Sequence, residues 1–251
     1  MGRDGLGARA VASPLESARF GCSVDRLTVH PEHPSSFPTV REAVLGSAAD
    51  VIVLRYPADR VDWFAKLAML GRTAIFADSL SYWRLRAGEG RRPEPSQGLR
   101  TTRITDAAAV ASLVSGIFAA YGSHYSANPL FGATEALAGY QEWALRSAAE
   151  GRCLALGTAA ADAYLGLATL DERGPRTEIL LAGVVPEAQG RGLYAHLLKG
   201  IEDGTLARGA EEILISTQGH NTRVQKAWAR YGFEPVRAVL TVHLVKSRLI
   251  P

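Results

Sequence analysis

Hydrophobic positions recur along this 251-residue chain with two different periods, and together they predict a mixed α/β protein. Residues 24–29 alternate as a strand, 51–54 form a continuous apolar run, and Val61, Phe64, Leu67 and Leu70 recur at helical spacing in a helix predicted over 58–70. A short helix is expected over 39–46, and one or two strands over 73–86. Further on, 99–102 reads as a strand and 106–121 as a helix that Thr105 and Asp106 can cap. A loop with Ser123, His124, Tyr125, Asn128 and Pro129 leads to a helix over 133–150. Strands at 152–158, 163–171 and 177–185 then follow one another, before a helix at 190–208, a strand at 212–217, a helix at 222–231 and a last strand at 236–245. Consecutive strands without intervening helices imply hairpins, so the sheet is expected to be mixed and mostly antiparallel, flanked by helices.

Residues 87–98 break this patterning with two prolines, three glycines and no hydrophobic period, the composition of an exposed connection. The expected organisation is a small α/β N-terminal domain over 1–90, a linker over 91–98 and a second domain over 99–251. The first carries no paired carboxylates, glycine-rich turn or His/Cys cluster, and reads as a scaffold, a dimer surface or one wall of an acceptor pocket. With 47% hydrophobic and 21% charged residues the chain can bury a sizeable core. Its 28 basic and 25 acidic side chains are interspersed, so no nucleic-acid partner is expected. Cys22 and Cys153 stand far apart with no metal-ligand spacing, so neither a disulfide framework nor a zinc site is predicted and a cytoplasmic location fits. His196, His220 and His243 have no mutual spacing for a metal either. No secretion signal or lipid anchor is read at the N-terminus, and the longest apolar run, 179–185, falls far short of the roughly 20 residues that span a bilayer, so no membrane partner is expected.

The most informative stretch is 179–194, Ile-Leu-Leu-Ala-Gly-Val-Val-Pro-Glu-Ala-Gln-Gly-Arg-Gly-Leu-Tyr. A buried strand runs into a turn with Gly190 and Gly192 and then into a helix, which aims several main-chain N–H groups and the positive end of a helix dipole at one point. That is an anion site: the glycines let a diphosphate approach the backbone, and Arg191 adds charge. A dinucleotide fingerprint lacks its third glycine here, and a P-loop lacks its Gly-Lys-Ser/Thr ending. Residues 189–194, Gln-Gly-Arg-Gly-Leu-Tyr, resemble the GNAT superfamily of acyl-CoA-dependent N-acyltransferases, whose signature is Gln/Arg-x-x-Gly-x-Gly/Ala. Gln189 and Gly192 match, whereas Tyr194 stands where a small residue is usual. Residues 221–233, from Asn221 to the Gly232-Phe233 pair, are similar to the family's second hallmark. The likeness spans roughly 99–247. Arg19-Phe20-Gly21, the small N-terminal unit and the loop after the first long helix also resemble the two-domain TDP-fucosamine acetyltransferase type.

The resemblance implies acetyl-CoA as co-substrate, no metal, and direct attack of an amine on the thioester. Gly183, Val184 and Val185 would carry the pantetheine arm as an added strand, with a main-chain N–H serving as oxyanion donor. Gln189, Gly190, Arg191, Gly192, Leu193, Tyr194, Asn221 and Trp228 would complete the coenzyme site. An ammonium must lose a proton before it attacks, and Glu178, on the same strand, is the candidate base; its other reading is a solvated or salt-bridged carboxylate. Many family members protonate the thiolate with a tyrosine four residues before the Gly-Phe glycine, where this chain has Trp228. Tyr231 is the candidate acid, with a core tyrosine as its alternative, and Tyr194, Tyr125, His124 and water remain open. His124, Tyr125 and Asn128 combine aromatic faces with hydrogen-bonding tips suited to a hydroxylated acceptor such as a nucleotide-linked amino sugar. A protein or peptide acetyltransferase and a non-catalytic acyl-CoA-binding module are the competing readings, and a homodimer is compatible with each.

Overall fold

The computed structural model describes residues 8–30, 35–96, 98–158 and 163–250. Its chain divides into two compact units that do not follow the expected order of a domain, a linker and a second domain. One unit joins Met1–Leu80, Gly122–Ala136 and Arg237–Pro251, and the other joins Ser81–Tyr121 and Leu137–Val236. The strand over Arg72–Arg86 starts in one unit and ends in the other, as does the strand over Glu234–Lys246.

The first unit contains β1 (Val11–Ala12), α1 (Pro14–Phe20), β2 (Val24–Thr28), α2 (Phe37–Gly46), β3 (Val51–Pro57), α3 (Trp63–Ala68), the first part of β4 (Arg72–Arg86) and most of β10 (Glu234–Lys246). Its strand order is β1-β2-β3-β10-β4, with β2 parallel and β10 antiparallel to β3. Ser36 caps α2 by accepting the Thr39 N–H at 3.4 Å, which fixes its start. Strand period sorts β3 between two cores: Ile52, Leu54 and Tyr56 pack with Val40, Val44, Trp63 and Leu67 of α2 and α3, and Val51 and Val53 pack with Val24, Phe131 and Val245. The helix expected over 58–70 shrinks to α3 because its buried face is Trp63 and Leu67; Val61, counted on the apolar stripe, is 81% exposed. Neither β1 nor α1 was predicted from the pattern, since two residues and seven are too short to establish a period.

The second unit contains the rest of β4, β5 (Leu99–Arg103), α4 (Ala107–Phe118), most of α5 (Ala133–Ala149), β6 (Cys153–Thr158), β7 (Tyr164–Asp171), β8 (Arg176–Val184), α6 (Leu193–Ala207), β9 (Glu212–Gln218) and α7 (Thr222–Tyr231). Its strand order is β4-β9-β8-β7-β6-β5. Strands β5 to β8 each pair antiparallel with the next, β5 with β6 across α4 and α5, and β8 pairs parallel to β9 across the crossover helix α6. Asp106 caps α4, accepting the N–H groups of Ala108 and Ala109. One face packs Leu154, Leu156, Ala168, Leu170 and Ile179 against α6 and α7; the other packs Cys153, Ala155, Leu167 and Leu181 against α4 and α5. Among the described residues no helix is long and apolar enough to cross a membrane.

The expected linker is anchored at its start. Glu202 of α6, with no exposed surface, accepts the N–H groups of Gly88 and Gly90 at 2.8 and 2.9 Å, and Arg91 N–H bonds the Tyr231 carbonyl at 2.6 Å. A Cβ on Gly90 would lie 2.4 Å from Glu202 Oε2 and 2.5 Å from Tyr231 Cε1, so only glycine lets the chain pass this close.

Candidate active site

The site is organised by an irregularity in β8. Ile179 faces the α6 side and Leu181 the α4 side, although residues two apart on a regular strand share a face. The register explains this: Ile179 opposes Leu170 and Leu181 opposes Thr169, which leaves Leu180 as an extra residue, a β-bulge. The parallel pairing of β8 with β9 runs from Arg176 opposite Glu212 to Ile179 opposite Ile215 and stops there. A bulge bends its strand and increases its twist. Beyond it β8 continues to Val184 and β9 to Gln218 without further pairing, so an edge of backbone opens between them. Gly183 lies on this run, and a Cβ there would meet Ile117 Cγ2 at 2.4 Å, so α4 sits directly on the strand.

At the end of the open run Gln189 links three parts of the site. Its Nε2 donates to the Val184 carbonyl at 3.2 Å, and its Oε1 accepts from Arg223 Nη1 of α7 at 2.8 Å. Gly190 and Gly192 follow with φ of 77° and 76°, a left-handed conformation that side chains disfavour. Among the described residues nothing accepts a hydrogen bond from the main-chain N–H groups of Gly190, Arg191, Gly192, Leu193 or Tyr194; the first backbone bond of α6 is Ala195 N–H to the Gly192 carbonyl at 3.1 Å. Unpaired donors at the positive end of a 15-residue helix, beside the exposed Arg191, fit a diphosphate. The open β8 edge fits an extended amide-bearing chain such as pantetheine.

Opposite, Thr217 near the end of β9 shares its hydroxyl with two neighbours: Asn221 Nδ2 donates to Thr217 Oγ1 at 3.0 Å, and Tyr121 Oη lies 3.2 Å from the same atom. Asn221 precedes α7 but does not cap it, its amide being turned to Thr217 instead. Trp228 is buried and donates its indole N–H to Tyr194 Oη at 3.1 Å. The two residues that depart from the family pattern therefore satisfy each other. Burial pushes the Tyr194 phenol up to about 12, with the Trp228 bond acting the opposite way. Neither Tyr121 nor Thr217 was among the candidate residues, and the bulge at Leu180 leaves no mark on the residue pattern.

The remaining candidates fall elsewhere. Glu178 is half-buried on the paired part of β8, opposite Asp171 and Leu214, two residues before the bulge. Tyr231, the expected acid, is buried and its hydroxyl donates to Glu202 at 2.8 Å; burial, then the Glu202 carboxylate, push its pKa upward. Its proton is committed to the core. The polar tips expected to meet an acceptor are likewise engaged within the first unit. His124 Nδ1 lies 3.0 Å from His243 Nε2, Asn128 Nδ2 lies 3.3 Å from His243 Nδ1, and Tyr125 donates to Glu16 at 2.6 Å. His124 and Asn128 are buried, and Tyr125 is half-buried. Among the described residues no three His, Cys, Asp or Glu side chains gather in a way that could hold a metal.

Residues 119–233 match the model of the acetyltransferase (GNAT) family. That segment is similar to GNAT acetyltransferases. The matched segment, slightly under half of the chain, contains β8, the glycine turn, α6, β9 and α7, and ends on Phe233, so the GNAT hallmarks coincide with the open strand edge and the unpaired amides. The GNAT fold extends over most of the chain: a GCN5-related N-acetyltransferase from Sphaerobacter thermophilus superposes with a TM-score of 0.62 at 15% identity, covering 96% of this chain and 77% of that one. A tandem GNAT protein of the clavulanic acid biosynthesis pathway gives 0.56 at 16% identity, covering 89% and 75%. A glucosamine N-acetyltransferase region of a fungal multi-domain β-N-acetylglucosaminidase gives 0.61 at 12%, covering 94% of this chain and 31% of that one. No curated protein matches by sequence. The matched segment and the GNAT fold support an N-acetyltransferase, one that moves an acyl group from acyl-CoA to an amine.

Proposed function

We propose that the chain transfers an acetyl group from acetyl-CoA to the primary amine of a small hydroxylated acceptor, with a nucleotide-linked amino sugar as the preferred class. The observation that carries the donor half is the cradle of unpaired amides from Gly190 to Tyr194 at the end of an unpaired strand edge. In this reading the diphosphate sits on those amides with Arg191 beside it, Gln189 and Arg223 hold the turn, and Asn221 and Trp228 line the coenzyme. The pantetheine adds to β8 along Gly183, Val184 and Val185. The amine nitrogen attacks the thioester carbonyl, whose developing negative charge is met by a β8 main-chain N–H, and Glu178 takes the amine's proton directly or through water. The acceptor class rests on the resemblance to the TDP-fucosamine enzyme type; the same fold serves glucosamine acetylation in the fungal protein.

Calorimetry with CoA tests the donor half, and thiol release against a panel of amino sugars, polyamines and lysine peptides tests the acceptor half. Gly192→Val places a β-branched side chain in the cradle. The open space around Gly192 means the variant meets no neighbour, and its left-handed backbone costs about 1–2 kcal/mol. We expect it to fold and to bind CoA at least about tenfold more weakly, a difference of about 1.4 kcal/mol. CoA binding equal to the parent would remove the cradle from the coenzyme site. Turnover confined to lysine peptides would overturn the sugar assignment and leave the donor half intact.

A further inference from the structure

We propose that Arg55 and His124 bind the carboxylate of a small-molecule ligand, at a site that lies wholly in the first unit and does not depend on the acyl-CoA reading. The strand register sets the polar side chains in a row: Thr28 on β2 and Thr241 on β10 both oppose Arg55 on β3. Val51 and Val53 pack on the face shared with Phe131, and by strand period Arg55 stands on that face too. His243 opposes Val53 on the same face, two residues or about 7 Å along β10 from Thr241. His124 meets His243 at 3.0 Å.

The row holds a positive charge that the chain does not neutralise. Arg26, which also opposes Val53, spends its charge on Glu16, with Nε to Oε2 and Nη2 to Oε1 both at 2.6 Å. Arg55 is half-buried, yet its guanidinium makes no hydrogen bond and no ion pair among the described residues. Its Nε and the hydroxyl of the fully buried Thr241 are enclosed without a partner. Buried cations are ordinarily paired and buried donors ordinarily bonded, so this pattern is that of a site for an anion. Thr28 is exposed, so the row reaches solvent at its β2 end.

A hydrogen-bond chain beside Arg55 fixes a second donor. Asn128 Oδ1 accepts the Leu130 N–H at 3.0 Å, so its Nδ2 donates to His243 Nδ1 at 3.3 Å. Burial keeps His243 neutral, so its proton is on Nε2 and is donated to His124 Nδ1. His124 is neutral for the same reason, which leaves its own proton on Nε2, with no acceptor among the described residues. Arg55 is the charge that acts most strongly on His124, as expected of neighbouring donors. A guanidinium fork and an imidazole N–H suit the lone pairs of a planar carboxylate. One uncompensated positive charge matches a monoanion, whereas a phosphate dianion would be left with charge in excess.

The test titrates the full chain with sodium acetate in place of sodium chloride, at neutral pH and constant ionic strength. It follows the His124 Nε2 signal by nitrogen NMR and the thermal midpoint of unfolding. The parent should bind saturably with a Kd on the order of 1 mM, its Nε2 signal should move, and its midpoint should rise with acetate. Arg55→Gln removes no hydrogen bond, so it should fold with a midpoint in chloride close to that of the parent, and should bind acetate at least about tenfold more weakly. Arg55→Lys keeps the charge without the fork and should fall between the two. Sodium phosphate is the competing probe: binding that depends on Arg55 and is tighter than that of acetate overturns the carboxylate class. An unchanged parent at roughly 50 mM acetate, or equal changes in the parent and Arg55→Gln, overturns the site itself.

Discussion

Glu202→Ala is expected to lower the stability of the protein by about 3–5 kcal/mol, the usual penalty for removing one partner of a buried, hydrogen-bonded charge network. The carboxylate has no exposed surface and accepts three hydrogen bonds, from the N–H groups of Gly88 and Gly90 and from the Tyr231 hydroxyl at 2.8 Å. Arg92 Nε lies 3.9 Å away and supplies the only cation paired with it among the described residues. Truncation leaves the buried Tyr231 hydroxyl without an acceptor, at about 1–3 kcal/mol before relaxation, and frees the N–H groups of the exposed Gly88 and half-buried Gly90. It also opens a cavity between α6 and the Gly88–Gly90 turn. Glu202→Gln separates these effects. Its carbonyl oxygen can still take both backbone N–H groups, and the Tyr231 hydroxyl can turn to accept from the new amide, so the loss should be about half as large. Urea titration of the three proteins measures this directly. A loss under about 1 kcal/mol for Glu202→Ala would show that the turn is held by other contacts. Because Tyr231 belongs to this network and not to the open edge of β8, Tyr231→Phe should cost stability while leaving kcat near the parent value.

The sequence made the elements of the acyltransferase unit readable because each has a strong local signal. The strand, glycine turn and helix at 179–208 and the helix at 222–231 appear within two or three residues of their predicted bounds. What it could not show were relations between distant residues. A bulge such as Leu180 is a register event, visible only when Leu170 and Thr169 are aligned against it. Glu202 reads as an ordinary helical charge until Gly88 and Gly90, more than a hundred residues earlier, are found bonded to it. The separation into units was obscured for the same reason. Residues 87–98 have a linker's composition, yet the second unit begins at Ser81, inside a strand whose even hydrophobicity carries no boundary signal. Tyr194 and Trp228 each departed from a motif; only their contact shows that the departures belong together. The mixture of aromatic and polar residues in the loop of 121–129 suggests an acceptor site, and that same mixture builds a hydrogen-bonded core around His243.

That core should make the protein sensitive to acid well above the range in which carboxylates titrate. His243 has no exposed surface, and its pKa is lowered to about 4, first by burial and then by Arg55 and Arg26, with Glu16 opposing them. His124, against it at 3.0 Å, is held well below its ordinary value by burial, Arg55, His243 and Arg26. A hydrogen bond between two imidazoles needs one nitrogen to donate and the other to accept, so the pair is built for neutral rings. The unfolded chain protonates His243 near 6.5, and the folded chain resists until about 4. The folded state therefore binds fewer protons in this window. Stability from the neutral ring is complete above 6.5 and falls as pH drops through 4, by about 3 kcal/mol at roughly 1.4 kcal/mol per pH unit. Glu16 is depressed to about 2, by its bonds and attraction to Arg26 and its bonds from Tyr125 and Ser13, against the opposing effect of burial. Its contribution is lost only below about 4.5, and the low carboxyls of Asp50 and Asp171 behave alike, so the histidine window stands apart from theirs. Urea midpoints of the parent should fall steadily between pH 6.5 and 4.5, and those of His243→Gln, whose amide stays neutral, should be markedly flatter there whatever its stability at pH 7. Parallel curves for the two proteins would mean that the buried pair is not what acid disrupts.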